Sequence, residues 1–247
     1  MMLSTLIQGA TRGIGLAMAE QLLARGQQVI ATGRSAESSV ELTALRATYG
    51  ERLWPLALDI TDEASVASAF QQVGERFDKL GCVINAAGLL HDSALGPEKK
   101  LEQIDAEAMQ RVFAVNTIGP ALVMKYAKPL LQHDERSVIA NLSARVGSIE
   151  DNGLGGWYSY RASKAAQNML TKTAAIELGR GSRPVIVIAL HPGTVETGLS
   201  APFRGGVTGD KLFSSARAAR QLLEIIDGAT LSCSGVFFAW DGSRIPW

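Results

Sequence analysis

Short apolar runs alternate with amphipathic stretches along nearly the whole chain, and this pattern predicts the secondary structure. The run Val185–Leu190 contains no polar position, which is typical of a strand buried on both faces of a parallel sheet. The stretches between such runs repeat their apolar residues at helical spacing. The predicted strands are Leu3–Ile7, Gln28–Thr32, Leu53–Leu58, Cys82–Ile84, Ser137–Asn141, Val185–Leu190 and Val236–Ala239. The predicted helices are Ile14–Ala24, Glu37–Tyr49, Glu63–Phe77, Asp105–Leu131 with an interruption at Gly119-Pro120, Tyr158–Leu178 and Ser214–Ile226.

The order of these elements predicts an α/β fold. Alternating strands and helices at this spacing favour right-handed crossovers and a parallel sheet that is covered on both faces. We therefore expect residues 1–247 to form a single-domain Rossmann fold, a doubly wound sheet of about seven strands flanked by helices. The loop-rich stretches 89–104, 143–157 and 192–212 each follow the carboxyl end of a strand, where open parallel sheets bind their ligands.

Composition and charge exclude several classes of function. The 24 basic and 24 acidic residues give a formal net charge of zero, which is not the footprint of a protein that binds nucleic acid or an anionic membrane surface. No apolar run approaches the ~18 residues of a membrane span, and the N-terminus lacks the basic region of a signal peptide. Two distant cysteines favour a reducing compartment, so we expect a cytoplasmic protein. The scattered histidines and cysteines predict no metal site.

A glycine-rich turn joins the first predicted strand to the first predicted helix. Its glycines, Gly9, Gly13 and Gly15, follow the spacing G-x-x-x-G-x-G. Glycines at this point allow a tight turn and let backbone N–H groups approach a pyrophosphate at the helix N-terminus. The same residues could form only a turn, but their position between strand and helix favours a dinucleotide site. The Gly-Lys-Ser/Thr ending of a nucleoside triphosphate loop is absent.

The end of the second strand predicts which dinucleotide binds. A site for NAD places an acidic residue there to hold the ribose 2′-hydroxyl. This chain has Arg34 instead, and Arg12 lies inside the glycine turn. A 2′-phosphate needs cations, so this pair predicts NADP(H), although ordinary solvated arginines would look the same. Asp59, after the third strand, is open to two interpretations, an adenine contact or part of the cap of the next helix.

The chain resembles the short-chain dehydrogenases/reductases over nearly its whole length. The resemblance rests on several motifs in the family's order: the glycine turn, Asp59, Asn85-Ala86-Ala87-Gly88, Asn116, Ser143, Tyr160-x-x-x-Lys164 and Pro192-Gly193. The stretch from Gly147 to Ala166 and the ending DGSRIPW are similar to the C-factor and Sniffer branch of carbonyl reductases. Gln8 departs from the threonine usual before the first glycine, and the spacing from Ser143 to Tyr160 is longer than in many members.

Tyr160 and Lys164 lie one helical turn apart and share a helix face. A free tyrosine has a pKa of ~10, which makes it a poor acid or base at neutral pH. A nearby ammonium would stabilise the phenolate and lower the pKa of Tyr160 toward a useful range. A solvated helix face is the alternative for the pair taken alone, and Ser143 alone would be a turn residue. No G-x-S-x-G surrounds Ser143, so it is no hydrolase nucleophile by motif.

The family resemblance implies a role for each of these residues. Tyr160 would exchange a proton with the substrate oxygen, Lys164 would also hold the nicotinamide ribose, Ser143 would hydrogen-bond the substrate oxygen, and Asn116 would position a water beside the lysine. The 192–197 loop would meet the nicotinamide carboxamide, with Thr197 as the positional match and a helix cap as its alternative. The cofactor-binding residues predicted in this way are Gly9, Thr11, Arg12, Gly13, Ile14, Gly15, Arg34, Asp59, Ile60, Asn85, Ala86, Ala87, Gly88, Tyr160, Lys164, Pro192, Gly193, Val195 and Thr197.

The substrate side carries weaker signals. Trp157 and Phe203 favour an apolar or aromatic carbonyl compound, His91 is a candidate substrate contact, and residues 198–212 suggest a lid. The leading prediction is an NADPH-dependent carbonyl reductase. Two alternatives stay open: a dehydrogenase that works mainly on secondary alcohols, and a dinucleotide-binding regulator that uses the fold without turnover. The resemblance also implies a homodimer or homotetramer built on the helices around 105–131 and 158–178.

Overall fold

A computed structural model describes residues 3–203 and 212–247. Seven parallel strands form the central sheet: β1 (Ser4–Gln8), β2 (Val29–Gly33), β3 (Leu53–Ala57), β4 (Leu80–Asn85), β5 (Val138–Leu142), β6 (Ile186–His191) and β9 (Phe237–Ala239). Their order across the sheet is β3-β2-β1-β4-β5-β6-β9. Two short strands, β7 (Thr194–Val195) and β8 (Leu212–Phe213), pair separately. The predicted doubly wound parallel sheet of about seven strands is confirmed.

Helices cover both faces of the sheet. They are α1 (Gly13–Ala24), α2 (Val40–Tyr49), α3 (Glu63–Arg76), α4 (Ala106–Phe113), α5 (Gly119–Leu131), α6 (Tyr158–Gly179) and α7 (Ser215–Gly228). One apolar core joins the sheet to α1, α2 and α7, and a second joins its other face to α3, α5 and α6. Neighbouring residues of β1 enter opposite cores, Leu6 the second and Ile7 the first, as the alternation of side chains along a strand requires.

The strand order creates a crevice at the carboxyl end of the sheet. The chain moves outward from β1 through β2 to β3 and then crosses back to β4 on the other side of β1. Ligands of open α/β sheets bind where the direction of winding reverses in this way. The loops after β1 and β4 therefore border the expected dinucleotide site.

The long predicted helix 105–131 breaks earlier than expected. Residues Ala114–Ile118 form a π-helical segment between α4 and α5, and Gly119-Pro120 begins α5 instead of interrupting a helix. Proline costs no hydrogen bond in the first turn, and a side chain at Gly119 would collide with Ile60. Single π turns inside helices occur mostly at functional sites, and this one carries Asn116.

Residues 3–203 and 212–247 contain neither a membrane-spanning helix nor a cluster of metal-ligating side chains. Among their helices, none combines the length and apolar character that crossing a membrane requires. The same residues contain no group of three or more His, Cys, Asp or Glu side chains arranged to hold a metal ion.

Candidate active site

The glycine turn after β1 packs directly on the turn after β4. Gly9 has a φ of +89°, and a Cβ at this position would lie 2.6 Å from the backbone nitrogen of Ala87. A side chain at Gly15 would overlap the carbonyl group of Gly9. Both glycines are therefore required by close backbone contact, and they place Gly13 and Ile14 at the mouth of the crevice.

The N-terminus of α1 has the chemistry of an anion site. Arg12 is the N-cap, and no side chain caps the helix there. The first helical bond runs from Leu16 N to Arg12 O at 3.3 Å, so the earlier N–H groups have no partner within the helix. No acidic residue lies in the first turn to compete for the positive end of the helix dipole. These groups fit a pyrophosphate.

The two predicted phosphate-binding arginines lie on adjacent turns. Arg34 follows Gly33, and a Cβ at Gly33 would lie 3.1 Å from the methyl group of Thr11 in the glycine turn. Arg12 and Arg34 are both exposed, and neither forms an ion pair with any carboxylate among the residues that the structure describes. Two unpaired guanidinium groups beside the helix N-terminus fit a 2′-phosphate.

Asp59 is held within its own loop. Its Oδ1 accepts hydrogen bonds from Thr61 N at 2.9 Å and from the Thr61 hydroxyl at 2.7 Å. Burial acts to raise the pKa of Asp59, but the Thr61 hydrogen bonds and the charge of Arg34 outweigh it and lower the pKa. The helix cap that follows belongs to Asp62, whose Oδ1 accepts from Ala64 N at 3.0 Å. Ile60, which follows Asp59 in the chain, packs against Gly119.

Gln8 ties β1 to the Asn85–Gly88 turn, which gives a physical reason for its departure from the family pattern. Its carbonyl oxygen accepts from Ala86 N at 2.8 Å, and its Oε1 accepts from Ala87 N at 3.3 Å. Asn85 donates through Nδ2 to Asn141 Oδ1 at 2.7 Å across neighbouring strands. The turn that faces the crevice is therefore fixed from below by buried amides.

The Tyr160/Lys164 pair lies on α6 beneath the crevice. Tyr160 is 8% exposed and Lys164 is 2% exposed, and the ammonium lies 5.9 Å from the centroid of the Tyr160 ring. Lys164 Nζ donates to Leu142 O at 2.8 Å and to Gln167 Oε1 at 2.9 Å. The solvated-face alternative for the pair is therefore wrong.

The expected direction of the Tyr160 pKa is also wrong for this arrangement. Burial raises the pKa of the phenol, because a phenolate would lose its solvation, and the lysine ammonium is directed at other acceptors. Burial lowers the pKa of Lys164 to about 7. The lysine is thus poised near neutrality, while the tyrosine is held protonated as a weaker acid than a free phenol.

Ser143 and Asn116 lie on different elements, and each forms a hydrogen bond with a side chain of α6. Ser143 follows β5, and its Oγ donates to Asn168 Oδ1 at 2.6 Å. Asn116 accepts from Leu89 N at 2.7 Å and donates to Leu89 O at 2.8 Å. Its Nδ2 also lies 3.1 Å from the Ser163 hydroxyl on α6. Ser143 and Asn116 are both buried, and Asn116 joins the loop after β4 to the helix that carries Tyr160 and Lys164.

The loop after β6 closes against the glycine turn. Gly193, which follows Pro192, has a φ of +76°, and a Cβ there would lie 2.7 Å from the ring of Phe213. The methyl group of Thr197 would lie 3.3 Å from a Cβ on Gly13. Val195 is buried in the small β7–β8 sheet. The predicted carboxamide loop therefore lies beside the predicted pyrophosphate turn.

Aromatic side chains from three loops meet above Tyr160. The ring of Trp157 lies 5.0 Å from that of Phe203 and 6.2 Å from that of Tyr160, measured between centroids. His91 packs edge-on against Phe203 at 5.5 Å, and its Nε2 lies within 3.2 Å of the carbonyl oxygens of Gly198 and Leu199. Residues 204–211 of the predicted lid lie outside the described residues.

Several residues around the site carry no signal in the linear pattern. Glu98 is buried at the N-terminus of α6, where its carboxylate accepts from Ser159 N at 3.2 Å and from the Ser159 hydroxyl. Its carbonyl oxygen accepts from Trp157 N, and Trp157 itself has a φ of +53°, which is strained for a bulky residue. Gln167 accepts a hydrogen bond from Lys164, and Asn168 accepts one from Ser143. Their spacing of three and four residues from Lys164 is the one clue that the sequence offers.

Known proteins resemble all or most of the chain. The family model for short chain dehydrogenase matches residues 4–206. The 1-hydroxy-2-glutathionyl-2-methyl-3-butene dehydrogenase of Rhodococcus sp. (strain AD45) is 31% identical over 246 residues, which span 100% of both chains. The C-signal protein of Myxococcus xanthus is 34% identical over 149 residues, which span 60% of this chain and 83% of that protein.

Solved structures agree with these relatives. The NADPH-bound carbonyl reductase from chicken fatty liver matches with a TM-score of 0.87 and 30% identity, covering 100% of this chain and 99% of the other. The carbonyl reductase Sniffer of D. melanogaster matches with a TM-score of 0.87 at 24% identity over 100% of both chains, which is a likeness of fold. The resemblance predicted from the motifs, including the C-factor and Sniffer branch, is confirmed. The chain belongs to the short-chain dehydrogenase family.

Proposed function

We propose that this protein is an NADPH-dependent reductase of carbonyl compounds. The observation that carries the proposal is the buried Tyr160/Lys164 pair on α6, whose ammonium donates to Leu142 O, the residue before the buried Ser143. A hydroxyl, a phenol and an ammonium in that place form an acid/base set next to a dinucleotide cradle. The solved carbonyl reductase that matches this chain is described as NADPH-bound, which agrees with the choice of cofactor.

The chain's own groups hold the cofactor in this proposal. The free N–H groups at the start of α1 bind the pyrophosphate, and Arg12 and Arg34 neutralise the 2′-phosphate. The turn at Asn85–Gly88 and the loop 192–197 enclose the nicotinamide end. When bound, NADPH supplies the hydride that the carbonyl carbon accepts.

Proton transfer belongs to Tyr160. The carbonyl oxygen gains negative charge as its carbon is reduced, and the phenol donates a proton to it. Ser143 donates a hydrogen bond to the same oxygen and stabilises its developing charge. The Lys164 ammonium, 5.9 Å from the centroid of the Tyr160 ring, offsets part of the charge of the phenolate that remains, and with a pKa of about 7 it can lose or regain a proton at neutral pH. Asn116 keeps α6 aligned with the loop after β4 while this occurs.

The aromatic cluster formed by His91, Trp157 and Phe203 supports an apolar or aromatic carbonyl substrate. These rings cover Tyr160, so part of the 198–203 segment must move aside when substrate enters. In the reverse direction, the phenolate would take a proton from a secondary alcohol. The chemistry is reversible, and the ratio of the two cofactor forms sets its direction.

A regulatory role is the second candidate. The similarity to the C-signal protein of Myxococcus xanthus favours it, because that name denotes a signal. A regulator would bind NADPH in the same cradle with little turnover, and it would not need the phenol of Tyr160. The acid/base set makes the reductase the stronger proposal.

The test measures NADPH oxidation by absorbance with a panel of aldehydes, ketones and quinones as substrates. Tyr160→Phe should lower kcat/KM on any substrate that turns over by about 10²–10⁴-fold, the usual contribution of a general acid. Tyr126→Phe removes a phenol from a surface contact with Glu63 and should leave turnover unchanged. Undiminished turnover in Tyr160→Phe would refute the assignment. Tight NADPH binding with no turnover on any substrate would favour the regulator.

We further propose self-association through α6, in a cytoplasmic protein whose residues 1–247 fold as one domain. Met169 and Ile176 share the outer face of α6 and are 66% and 47% exposed, and Ile118 on the π segment is 54% exposed. Light scattering on a size-exclusion column should give a dimer or tetramer that Met169→Glu/Ile176→Glu dissociates. Val40→Glu, at a more exposed apolar residue on α2, is the control. A monomeric native chain would refute this assembly.

A further inference from the structure

Gln167 is a buried polar residue next to Lys164 with no role in the reaction described above. It is 1% exposed and lies three residues after Lys164, on the same face of α6. Its Oε1 accepts a hydrogen bond from Lys164 Nζ at 2.9 Å. Its Nε2 is buried and has no hydrogen-bond partner among the residues that the structure describes. A buried amide with one unpaired group costs folding free energy. The hydrogen bond with Lys164 is the side-chain interaction that offsets this cost.

The contact matters because Lys164 has so few other partners. Its ammonium donates to Leu142 O at 2.8 Å and to Gln167, which leaves one donor over. A Cβ at Gly147 would lie 2.7 Å from the Cβ of Lys164, so the base of the side chain is clamped against the turn after β5. The stem is therefore fixed by packing, while the position of the charged end depends on two acceptors.

Within residues 3–203 and 212–247, no charged group lies against the ammonium to replace Gln167. Burial is the cause that lowers the pKa of Lys164, and no carboxylate contributes to it. The described groups around the ammonium are uncharged at neutral pH: Tyr160 from α6, Leu142 O from β5, and Gly88 from the turn after β4, with Asn116 beside Gly88. The amide of Gln167 is the one side-chain oxygen within hydrogen-bonding distance of the ammonium among the described residues.

We propose that Gln167 is a positioning residue that fixes the Lys164 ammonium and sets its protonation equilibrium. This inference deepens the proposed function and rests on it for the catalytic use of Lys164. An amide oxygen stabilises the ammonium through one charge-assisted hydrogen bond, yet it adds no full negative charge. Gln167 therefore keeps the lysine able to exchange protons near neutrality, whereas a carboxylate at the same place would hold it charged.

The first test needs no cofactor and no turnover. Lysine labelled with ¹³C at Cε is incorporated into the full chain, the Lys164 resonance is assigned by its loss in Lys164→Met, and its midpoint is followed against pH. Gln167→Glu should raise the midpoint by at least about one pH unit, because an opposite charge then lies within ~4 Å. Gln167→Met should lower it by about one unit, a roughly tenfold change in the protonation constant.

Ser137→Ala controls for a general loss of stability. Ser137 is buried and donates to Leu131 O at 2.7 Å at the other end of β5, so its loss should leave the Lys164 midpoint unchanged. The second test is the pH dependence of kcat/KM, whose lower midpoint should move in the same two directions. A merely structural Gln167 would change stability and leave both midpoints where they are.

The outcomes separate this inference from the proposed function. Midpoints that shift as expected in a chain without carbonyl turnover would support the role of Gln167 and refute the reductase. The inference would be overturned, and the reductase left standing, by two results together. Turnover would depend on Tyr160, and the Lys164 midpoint would stay within 0.3 unit (about twofold) in both Gln167 variants.

Discussion

Burial of Lys164 should make the stability of the fold depend on pH in a way that one substitution removes. The pKa of Lys164 is lowered to about 7 in the folded chain and is ~10.4 in an unfolded one. Between these values the folded chain binds fewer protons at this site than the unfolded chain does. The free energy of unfolding therefore rises with pH across this window.

The size of the effect follows from the two pKa values. At each pH, the slope of the unfolding free energy is set by the difference in proton binding at Lys164 between the unfolded and the folded chain. Integrated from pH 7.0 to pH 9.5, this difference raises the free energy of unfolding by about 3 kcal/mol. Tyr160 adds little here, because burial raises its pKa and both states keep the phenol protonated below pH ~10. The other titratable groups contribute equally to the native chain and to a variant that lacks only Lys164, so their contributions cancel in the comparison.

The assay is urea unfolding of the native chain and of Lys164→Met at both pH values. The rise in the free energy of unfolding from pH 7.0 to 9.5 should be larger by about 3 kcal/mol in the native chain than in Lys164→Met. A change of one unit in the pKa of Lys164 alters this difference by about 1 kcal/mol. A difference of less than about 0.5 kcal/mol would mean that Lys164 is not desolvated, and would refute the reasoning about its buried ammonium.

Three further predictions test the proposed cofactor site and the N-terminus of α6. Gly9→Ala, whose Cβ would lie 2.6 Å from Ala87 N at a positive φ, should weaken NADPH binding more than tenfold and lower the thermal midpoint, as measured by calorimetry. Arg34→Asp should reduce the preference for NADPH over NADH, the ratio of their kcat/KM values, by about 10²-fold, and an unchanged ratio would place the 2′-phosphate elsewhere. Glu98→Ala leaves the N–H and hydroxyl groups of Ser159 without their acceptor, and it should cost about 1–3 kcal/mol of unfolding free energy; a loss below about 0.5 kcal/mol would argue against this cap.

Local patterns were sufficient to predict the sheet and the position of the glycine turn after β1. The apolar run of β6 and the glycines between β1 and α1 are contiguous, and their meaning depends on spacing within a few residues. Tyr160 and Lys164 were also predictable, because one helical turn separates them. What the pattern could not provide was their environment, and so the pKa of Tyr160 was predicted in the wrong direction: burial depends on which loops pack above it.

Long-range contacts set the rest of the site. Glu98 caps α6 by accepting from Ser159, which lies 61 residues later in the chain, and nothing in either local sequence connects them. Asn168 holds Ser143 only because α6 packs across the end of β5. The π segment at 114–118 was predicted as ordinary helix, since an extra residue in one turn leaves apolar periodicity almost unchanged. Such features are decided by tertiary packing.

The measurement that tests the central claim most directly is the transfer of deuterium from NADPH labelled at the nicotinamide C4 position. A carbonyl substrate found in the absorbance assay is reduced with each of the two stereoisomers of the labelled cofactor, and the alcohol is analysed by mass spectrometry. A reductase should place one deuterium on the former carbonyl carbon from one stereoisomer and none from the other, and Tyr160→Phe should yield almost no labelled alcohol. Product without deuterium from either stereoisomer would contradict direct hydride transfer, and with it the proposed function.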